Sequence, residues 1–293
     1  MIIQSFVQLL PILILVAGGF FLTRIYHLSQ DTLVKVIVDF FMPMLIFHAL
    51  YTSDIGGHMV FNLAGAATLM VLILLGLAYL YSRITGIEAN QFIPSVIFMN
   101  SGFLGIPLMK LWGGIAAMNL IVIYDQIQTI YIFTLGILII AGGFSTKGLK
   151  EMIKSPILWA IFLGFSFRFL ELPLADPLLA TMAFGGNAAP PLAALAVGAA
   201  LGETKLHFNR HLFAALFLRI TGGFLCGLLG SSIFGLTGIS RTVVIVASSL
   251  PTAVFASVLP LRYGIKADFA ATMVVISTLL GAVTIPLTFW LAS

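Results

Sequence analysis

One short stretch combines polar and helix-breaking residues inside a long apolar part of the chain. It reads Asn100-Ser-Gly-Phe-Leu-Gly-Ile-Pro107, with an amide, a hydroxyl, two glycines and a proline in eight residues. Proline lacks a backbone donor and glycine weakens a helix, so a helix is expected to break here. A helix that restarts after a break presents unpaired N–H groups and about half a positive charge, which suits an anion. We predict that Asn100 and Ser101 contact the anion, while Gly102, Gly105 and Pro107 shape the break.

A second stretch of the same kind lies 148 residues further along the chain. It reads Ser248-Ser-Leu-Pro-Thr252, so that Asn100 and Ser101 fall on a pair of serines and a proline follows again. If the two breaks meet near the bilayer midplane, they aim two helix starts at one point. We predict that Ser248, Ser249, Pro251 and Thr252 complete the anion site. The alternative is a pair of structural kinks whose small residues allow close helix packing.

Two polar groups occupy one face of the apolar segment that follows the first break. Asp125 lies about ten residues from either end of that segment, and Gln128 follows three residues later. A carboxylate at such a depth is costly and faces the protein interior, a cavity or a partner. Asp125 is therefore a proton or cation carrier, with Gln128 contacting the substrate, or else a static charge paired with the equally deep Arg219. For Arg219 we expect a structural ion pair rather than a substrate clamp.

Asp39 stands four residues before Pro43 in the second apolar segment. Proline cannot donate to the carbonyl of Asp39, and its ring crowds that carbonyl. A polar pocket is expected there, in which the carboxylate either takes part in proton coupling or closes the kink with a hydrogen bond. In the second half of the chain, the position that matches Asp39 is occupied by Asn187, which has no charge.

The composition sets the class of protein. The 293 residues are 60% hydrophobic and 8% charged, against about 25% charged residues in a soluble domain, which predicts an all-α polytopic membrane protein. The formal charge of +4 is spread singly over short loops, which does not suit nucleic acid. A single cysteine excludes a disulfide framework and a cysteine-based metal cluster. No hydrolase or ATP-binding motif is present, so we expect no enzyme activity, no cofactor and no metal.

Apolar stretches near the length of a membrane span fix the expected topology. Ten Lys and Arg residues fall in loops on one side and three on the other, which places both termini outside, in the periplasm. The first stretch lacks a basic leader and a cleavage site, so we interpret it as a membrane helix. The ten stretches lie near 4–23, 32–52, 58–82, 92–111, 115–142, 156–170, 176–201, 209–235, 240–261 and 268–291.

The two halves of the chain resemble each other at helix-breaking positions. Pro11-Ile-Leu recurs as Pro156-Ile-Leu at an offset of 145, and Pro43 matches Pro191 at 148, the offset of the two breaks. Five helices per half is an odd number, so the second half must enter the membrane upside down. We predict an inverted repeat of residues 1–143 and 156–293 around a cytoplasmic linker, 144–155. Chance similarity between apolar helices is the alternative.

Three motifs resemble the auxin efflux carrier (AEC) family, which includes bacterial carboxylate permeases and the plant PIN auxin carriers. Asn100-Ser-Gly-Phe-Leu-Gly-Ile-Pro-Leu108 is similar to the family's fourth helix, Gly186-Asn-Ala-Ala-Pro-Pro-Leu192 with Gly198 to its seventh, and Gln128-Thr-Ile-Tyr-Ile-Phe-Thr134 to its fifth. The resemblance implies a scaffold of helices 1, 2, 6 and 7, with a transport domain of helices 3–5 and 8–10. Helices 4 and 9 break and cross in that domain. It also implies elevator-like movement of an organic anion and a homodimer through the scaffold.

The leading hypothesis is a secondary transporter of small organic anions, mono- or dicarboxylates, in the bacterial inner membrane. Asp39 or Asp125 couples transport to protons or sets the charge balance. One alternative is a sodium-coupled symporter like the distantly related bile acid symporters. Sodium is the less favoured ion because those symporters carry a glutamate in the ninth helix, where this chain has none. Another alternative is a membrane sensor that keeps the fold and binds ligand without moving it.

Overall fold

The computed structural model describes residues 2–26, 29–52, 58–141, 146, 150, 153–203 and 208–292. Within these residues the chain forms helices and no strand, apart from one isolated bridge between Met99 and Thr252. Lys147, Lys205 and most of the linker 144–155, which entered the topology prediction, lie outside the described residues. The helices are α1 Ile2–Tyr26, α2 Gln30–Val36, α3 Met42–Tyr51, α4 His58–Thr85, α5 Ala89–Ile97, α6 Ile106–Tyr131, α7 Ile137–Ala141, α8 Pro156–Phe169, α9 Asp176–Gly186, α10 Ala189–Glu203, α11 Arg210–Phe217, α12 Gly223–Ile233, α13 Gly238–Ser248, α14 Phe255–Arg262 and α15 Asp268–Ala292.

Each of the ten predicted apolar stretches coincides with one or more of these helices. The boundary predicted between the fourth and fifth stretches is a turn within α6, where Gly113 and Gly114 leave the helical conformation. Gly114 has φ +65°, which favours glycine. The seventh stretch was expected to be continuous, but Asn187 and Ala188 separate α9 from α10. Pro190 and Pro191 follow at once, and neither can donate a helical hydrogen bond.

Among the described residues, six helical spans have the length and apolar composition needed to cross a bilayer: Thr32–Tyr51, His58–Thr85, Leu108–Ala141, Asp176–Ala199, Arg210–Ile233 and Asp268–Ala292. Shorter apolar helices lie at Leu13–Tyr26, Pro156–Phe169 and Gly238–Ser248. Large apolar side chains remain exposed around the molecule, among them Phe184, Ile84 and Trp290. An exposed apolar surface of this extent is covered by lipid in a membrane protein. The chain is a multi-pass membrane protein.

In the part of the chain that the structure describes, four π-helical turns widen the helices, at Ile37–Phe41, Ser101–Gly105, Ile132–Gly136 and Leu218–Gly222. Single π turns inside α-helices often lie at functional sites. The first turn contains Asp39 and ends just before Pro43, whose missing N–H leaves a helical carbonyl without its donor. The last turn contains Arg219. Sequence reasoning had predicted a disturbed helix near Asp39 and at the first break, but not at Ile132–Gly136 or Leu218–Gly222.

The helices pack in two groups. In the first group α1 packs along α10, and α3 packs against α8 and α9. A β-carbon added to Gly19 of α1 would meet the backbone of Leu195, and one added to Gly198 of α10 would meet the backbone of Val16. In the second group α12 lies against α4 and α13, α5 lies on α4, and α6 packs against α13. The two groups touch mainly through α15 and α14, which contact α1, α2 and α10.

Candidate functional site

The two helix breaks lie side by side in the core of the second group. Phe98 is extended, with φ −101° and ψ 125°, and Asn100 is also non-helical. The N–H of Asn100 donates to the carbonyl of Pro251 at 2.8 Å, and the N–H of Ala253 donates to Phe98 at 3.0 Å. This pair of bonds joins the breaks as two antiparallel strands would be joined. The structure thus brings together the two stretches that the sequence offset relates.

Two helices, α5 and α13, end where the two breaks meet, a place called the crossing below. Carbonyl groups at both helix ends accept hydrogen bonds from side chains. At the end of α5, the hydroxyl of Thr252 donates to the carbonyl of Ser95 at 2.9 Å. Arg219 donates through Nη1 to the carbonyl of Val96 at 2.6 Å and through Nη2 to the carbonyl of Ser248 at the end of α13. Arg219 is fully buried. One guanidinium group therefore links the carbonyl ends of both broken helices.

The ion pair expected between Arg219 and Asp125 is wrong. Asp125 instead accepts a hydrogen bond from the hydroxyl of Ser101 at 2.7 Å. The expectation came from counting deep charges, and it overlooked the backbone carbonyls. Carbonyls at the end of a helix carry a negative partial charge and compete for a buried cation. Two such ends converge on Arg219, so an acidic side chain is not needed there.

Asp39 also has a partner that the sequence did not indicate. Its two oxygens accept from Nε and Nη2 of Arg262 at 2.9 and 2.7 Å, in a bidentate pair. About a third of each side chain is exposed. The carboxylate was expected to serve proton coupling or to close the kink at Pro43 with a hydrogen bond. In the structure it instead joins the π turn before α3 to the end of α14, across the boundary between the two helix groups.

A cavity of about 280 Å³ opens beside the crossing, where the second parts of the two broken helices begin. It lies between α3 of the first group and α6 with both breaks of the second. Its polar side chains are those of Asn100, Asp125, Gln126 and Thr129, and none of the described residues that line it is basic. The other lining residues are glycine, proline or apolar: Met42, Leu45, Ile46, Ala49, Leu50, Met99, Gly102, Phe103, Ile106, Val122, Ile132, Phe133, Pro190, Ala253, Val254 and Phe255.

The first break presents polar groups to this cavity. Asn100 is almost fully buried, and its Nδ2 has no hydrogen-bond partner within the described part of the chain. A β-carbon added to Gly102 would lie 3.1 Å from both oxygens of Asp125, so glycine lets the carboxylate approach the backbone. Gly105 is buried, and an added β-carbon would lie 2.6 Å from Ile121. Pro107 stands in the first turn of α6. A free amide donor and a carboxylate thus share one wall of the cavity.

The second break uses its polar side chains elsewhere. Ser248 shares a 2.8 Å hydrogen bond with the hydroxyl of Tyr124. Ser249 donates to Val246 and reaches Thr288 at 3.3 Å. Ser248, Ser249, Pro251 and Thr252 are not among the residues that line the cavity. From this break, the cavity receives the backbone and apolar side chains of the next three residues, Ala253, Val254 and Phe255.

Gln128 also lies away from the cavity. It is fully buried and does not line the cavity, and neither of its amide atoms has a partner among the described residues. Beyond the turn at Gly113 and Gly114, the lining positions of α6 are 122, 125, 126 and 129, a helical stripe with spacings of three, four and seven. Gln128 shares a side with Asp125 but falls off this stripe. Gln126, three residues before Thr129, lies on the stripe instead, and it donates to the carbonyl of Ala49 at 3.1 Å.

Three aromatic rings that sequence reasoning did not single out form part of the cavity wall. Phe255 packs edge-on against Phe103 and Phe133, with centroids 5.4 and 5.7 Å apart. They come from the first break, the π turn after α6 and the start of α14. The chain has 25 phenylalanines, most of which have no such place, so residue type alone could not identify them.

Comparison with known proteins decides the family. The sequence model of a family described as "Membrane transport protein" (Mem_trans, the AEC family) matches residues 4–144 and 143–290. The chain belongs to this family. An uncharacterized transporter of Methanothermobacter thermautotrophicus (strain Delta H) is 29% identical over 295 residues, 95% of each chain. The resemblance read from the three motifs is thereby confirmed. Mem_trans is a family of membrane transport proteins, so this chain is a transporter.

Proposed function

We propose that this Mem_trans protein is a secondary active transporter of small organic anions across the bacterial inner membrane. The observation that carries the proposal is the cavity beside two crossing broken helices. Both helices restart at its wall, where unpaired N–H groups and the helix dipoles favour a negative charge. Asn100 adds a free amide donor from the first break. These groups suit a carboxylate without a basic side chain.

We extend the proposal to the architecture. Ten spans form an inverted repeat of residues 1–143 and 156–293, with both termini in the periplasm. The first helix group, with α1–α3 and α8–α10, is the scaffold, and the second group moves against it as in an elevator. The position of the cavity between α3 and the crossing supports this division, because a carried site must lie on the moving part and face the fixed one. A homodimer would form through the scaffold.

The wall of the cavity favours a monocarboxylate with an apolar body over a dicarboxylate. One carboxylate has donors at the first break. The other polar side chains of the wall are Thr129, Gln126, whose amide already donates to Ala49, and the carboxylate of Asp125. Burying a charge without a partner is strongly unfavourable. The three phenylalanine rings offer a surface for an alkyl or aromatic group. The sequence led us to expect mono- or dicarboxylates. Of these two classes, we propose monocarboxylates.

Asp125 is the proposed coupling group. It is the charged side chain among the described residues of the cavity wall, and it lies beside the helix start that would hold the substrate. Two like charges about 4 Å apart repel by about 4 kcal/mol at an effective dielectric constant of about 20. A proton on Asp125 removes this repulsion, so the anion and the proton bind together. Asp39 is already paired with Arg262, which leaves Asp125 to titrate.

Binding and uptake of matched acids test the proposal. Hexanoate and adipate share a carbon chain and differ by one carboxylate. We expect hexanoate, but not adipate, to raise the unfolding temperature of the purified protein, more strongly at acidic pH. We also expect proteoliposomes to take up labelled 3-phenyllactate above the level of protein-free liposomes when the outside is acidic. Equal effects of the two acids would refute the substrate class. Binding of an acid without uptake or exchange would refute transport and favour a sensor.

A further inference from the structure

The side chain of Arg219 takes no part in the substrate binding proposed above. Its guanidinium does not line the cavity and lies behind the crossing. It is fully buried, and the π turn Leu218–Gly222 carries it into the core. Such a charge is tolerated inside a membrane protein only where nearby groups compensate it. The compensating groups are therefore a guide to its function.

Backbone carbonyls compensate the guanidinium. Nη1 donates to Val96 and Nη2 to Ser248, while Met70 contributes a sulfur 4.0 Å from Nη2. Each helix end carries about half a negative charge, so the ends of α5 and α13 together carry about one. Among the described residues, no acidic side chain pairs with Arg219. The charge of one arginine thus matches the two helix ends that meet at it.

In transporters with broken helices, the carbonyl ends of half-helices commonly coordinate the coupling cation. Here the guanidinium of Arg219 occupies that position. We infer that Arg219 is a tethered cation that holds the two broken helices together in place of a bound metal cation. Transport then needs neither sodium nor potassium. The inference rests on the proposed transport function and adds a positioning residue to it.

The surroundings of Arg219 are built for this contact. A β-carbon added to Gly223 would meet the carbonyl of Ser248 and would lie 2.6 Å from Nη2 of Arg219. Glycine one turn after the arginine therefore allows α12 to approach the end of α13. The hydrogen bond between the hydroxyls of Ser248 and Tyr124 ties the same helix end to α6, which carries Asp125. A shift of Arg219 would therefore reach the cavity through both the helix ends and α6.

Ion replacement in the wild-type protein is the first test. Uptake of 3-phenyllactate is measured under a fixed proton gradient, with all sodium and potassium replaced by N-methylglucamine at constant ionic strength. The inference predicts an unchanged rate. A rate that requires sodium or potassium would overturn the inference and leave the transport function standing. Absence of uptake in every salt would overturn the proposed function and the inference with it.

Substitution of the arginine is the second test. For Arg219→Ala we expect uptake to fall about tenfold or more, as for the loss of charge-assisted hydrogen bonds. Added guanidinium chloride at low concentration should restore part of the activity. Arg219→Lys should also retain part of it, because an ammonium keeps the charge but lacks the planar fork. Rescue by free guanidinium would show that the charge itself is required at this position, which a role in packing alone does not predict.

The matched control is Arg241→Ala. Arg241 also donates to a backbone carbonyl at the end of a helix, that of Ala292 at 2.7 Å, but away from the crossing. We expect the Arg241→Ala variant to take up 3-phenyllactate at nearly the wild-type rate, and we expect added guanidinium not to change that rate. Full activity of Arg219→Ala would overturn the inference. So would a folded Arg219→Ala that neither guanidinium nor lysine restores. If Arg219→Ala does not fold, the ion replacement and Arg219→Lys decide.

Discussion

The two helix breaks occupy matching places in the two halves of the chain, yet they differ in chemistry. The first break presents Asn100, with a free amide donor, and places Gly102 against the carboxylate of Asp125 at the cavity. The second break turns the hydroxyls of Ser249 and Thr252 to backbone carbonyls and neighbouring helices. Its contribution to the cavity is backbone and apolar surface.

This difference separates recognition from support. In the function proposed above, the first break holds the groups that distinguish one substrate from another. The second break fastens the ends of both helices, so that the first keeps its geometry. Positions related by the offset of 148 residues therefore need not share a role, even where both stretches carry hydroxyls and a proline. Substitutions at the first break should change affinity and coupling, whereas those at the second should change stability.

The largest effect is expected from Asn100→Ala. Removal of the amide donor at the site of a carboxylate costs about 1.5–3 kcal/mol, which is about 10- to 150-fold in affinity. We expect KM to rise accordingly when the initial rate of uptake is measured over a range of labelled phenyllactate concentrations. Asn90→Ala is the control, because Asn90 also has a buried side-chain atom without a partner in the described residues but lines a lateral groove. Equal KM values for the two variants would place recognition elsewhere.

A somewhat smaller effect is expected from Asp125→Asn. It concerns the coupling of substrate uptake to the proton gradient. The amide is neutral at every pH, so the anion should bind without a proton. Uptake should lose its dependence on an inward proton gradient, while exchange of substrate across the membrane continues. Asp176→Asn, at the exposed start of α9, should keep the wild-type pH profile. If Asp125→Asn still accumulates substrate against its gradient when driven by protons, Asp125 is not the coupling group.

A substitution at the second break should lower the stability of the protein. Thr252→Val leaves the buried carbonyl of Ser95 without its donor, which costs about 1–3 kcal/mol. We expect a lower unfolding temperature in detergent and an unchanged KM. Thr181→Val removes an exposed hydroxyl bonded to Pro177 and should change stability by less than about 0.5 kcal/mol. A Thr252→Val variant with normal stability and a raised KM would reverse the assigned roles of the breaks.

The smallest effect is expected from Ser249→Ala. Its hydroxyl bonds within its own helix end and to Thr288, and it does not line the cavity. Uptake kinetics should stay within about twofold of wild type, a change below about 0.5 kcal/mol. The sequence alone made Ser249 a binding residue, so this variant separates the two accounts. A KM as high as that of Asn100→Ala would restore Ser249 to the site.

Local features of the sequence were sufficient to locate the apolar stretches and the two breaks at Asn100 and Ser248, but not the interruption between α9 and α10. Proline, glycine and long apolar runs act over a few residues, and a common offset related the breaks at Asn100 and Ser248. The partners of the charges were beyond such reasoning. Asp39 pairs with a residue 223 positions away, and Arg219 pairs with carbonyls, which every residue has. The rotation of α6, which selects Gln126 over Gln128, is set by packing against its neighbours.

Substrate exchange tests the central claim most directly, because it requires neither a gradient nor a known coupling ion. Proteoliposomes loaded with unlabelled 3-phenyllactate are diluted into a trace of the labelled acid, and accumulation is followed. We predict transient accumulation for wild type and Asn90→Ala, and at most a small fraction of it for Asn100→Ala. Equal accumulation by all three proteins would contradict the assignment of the site to the first break.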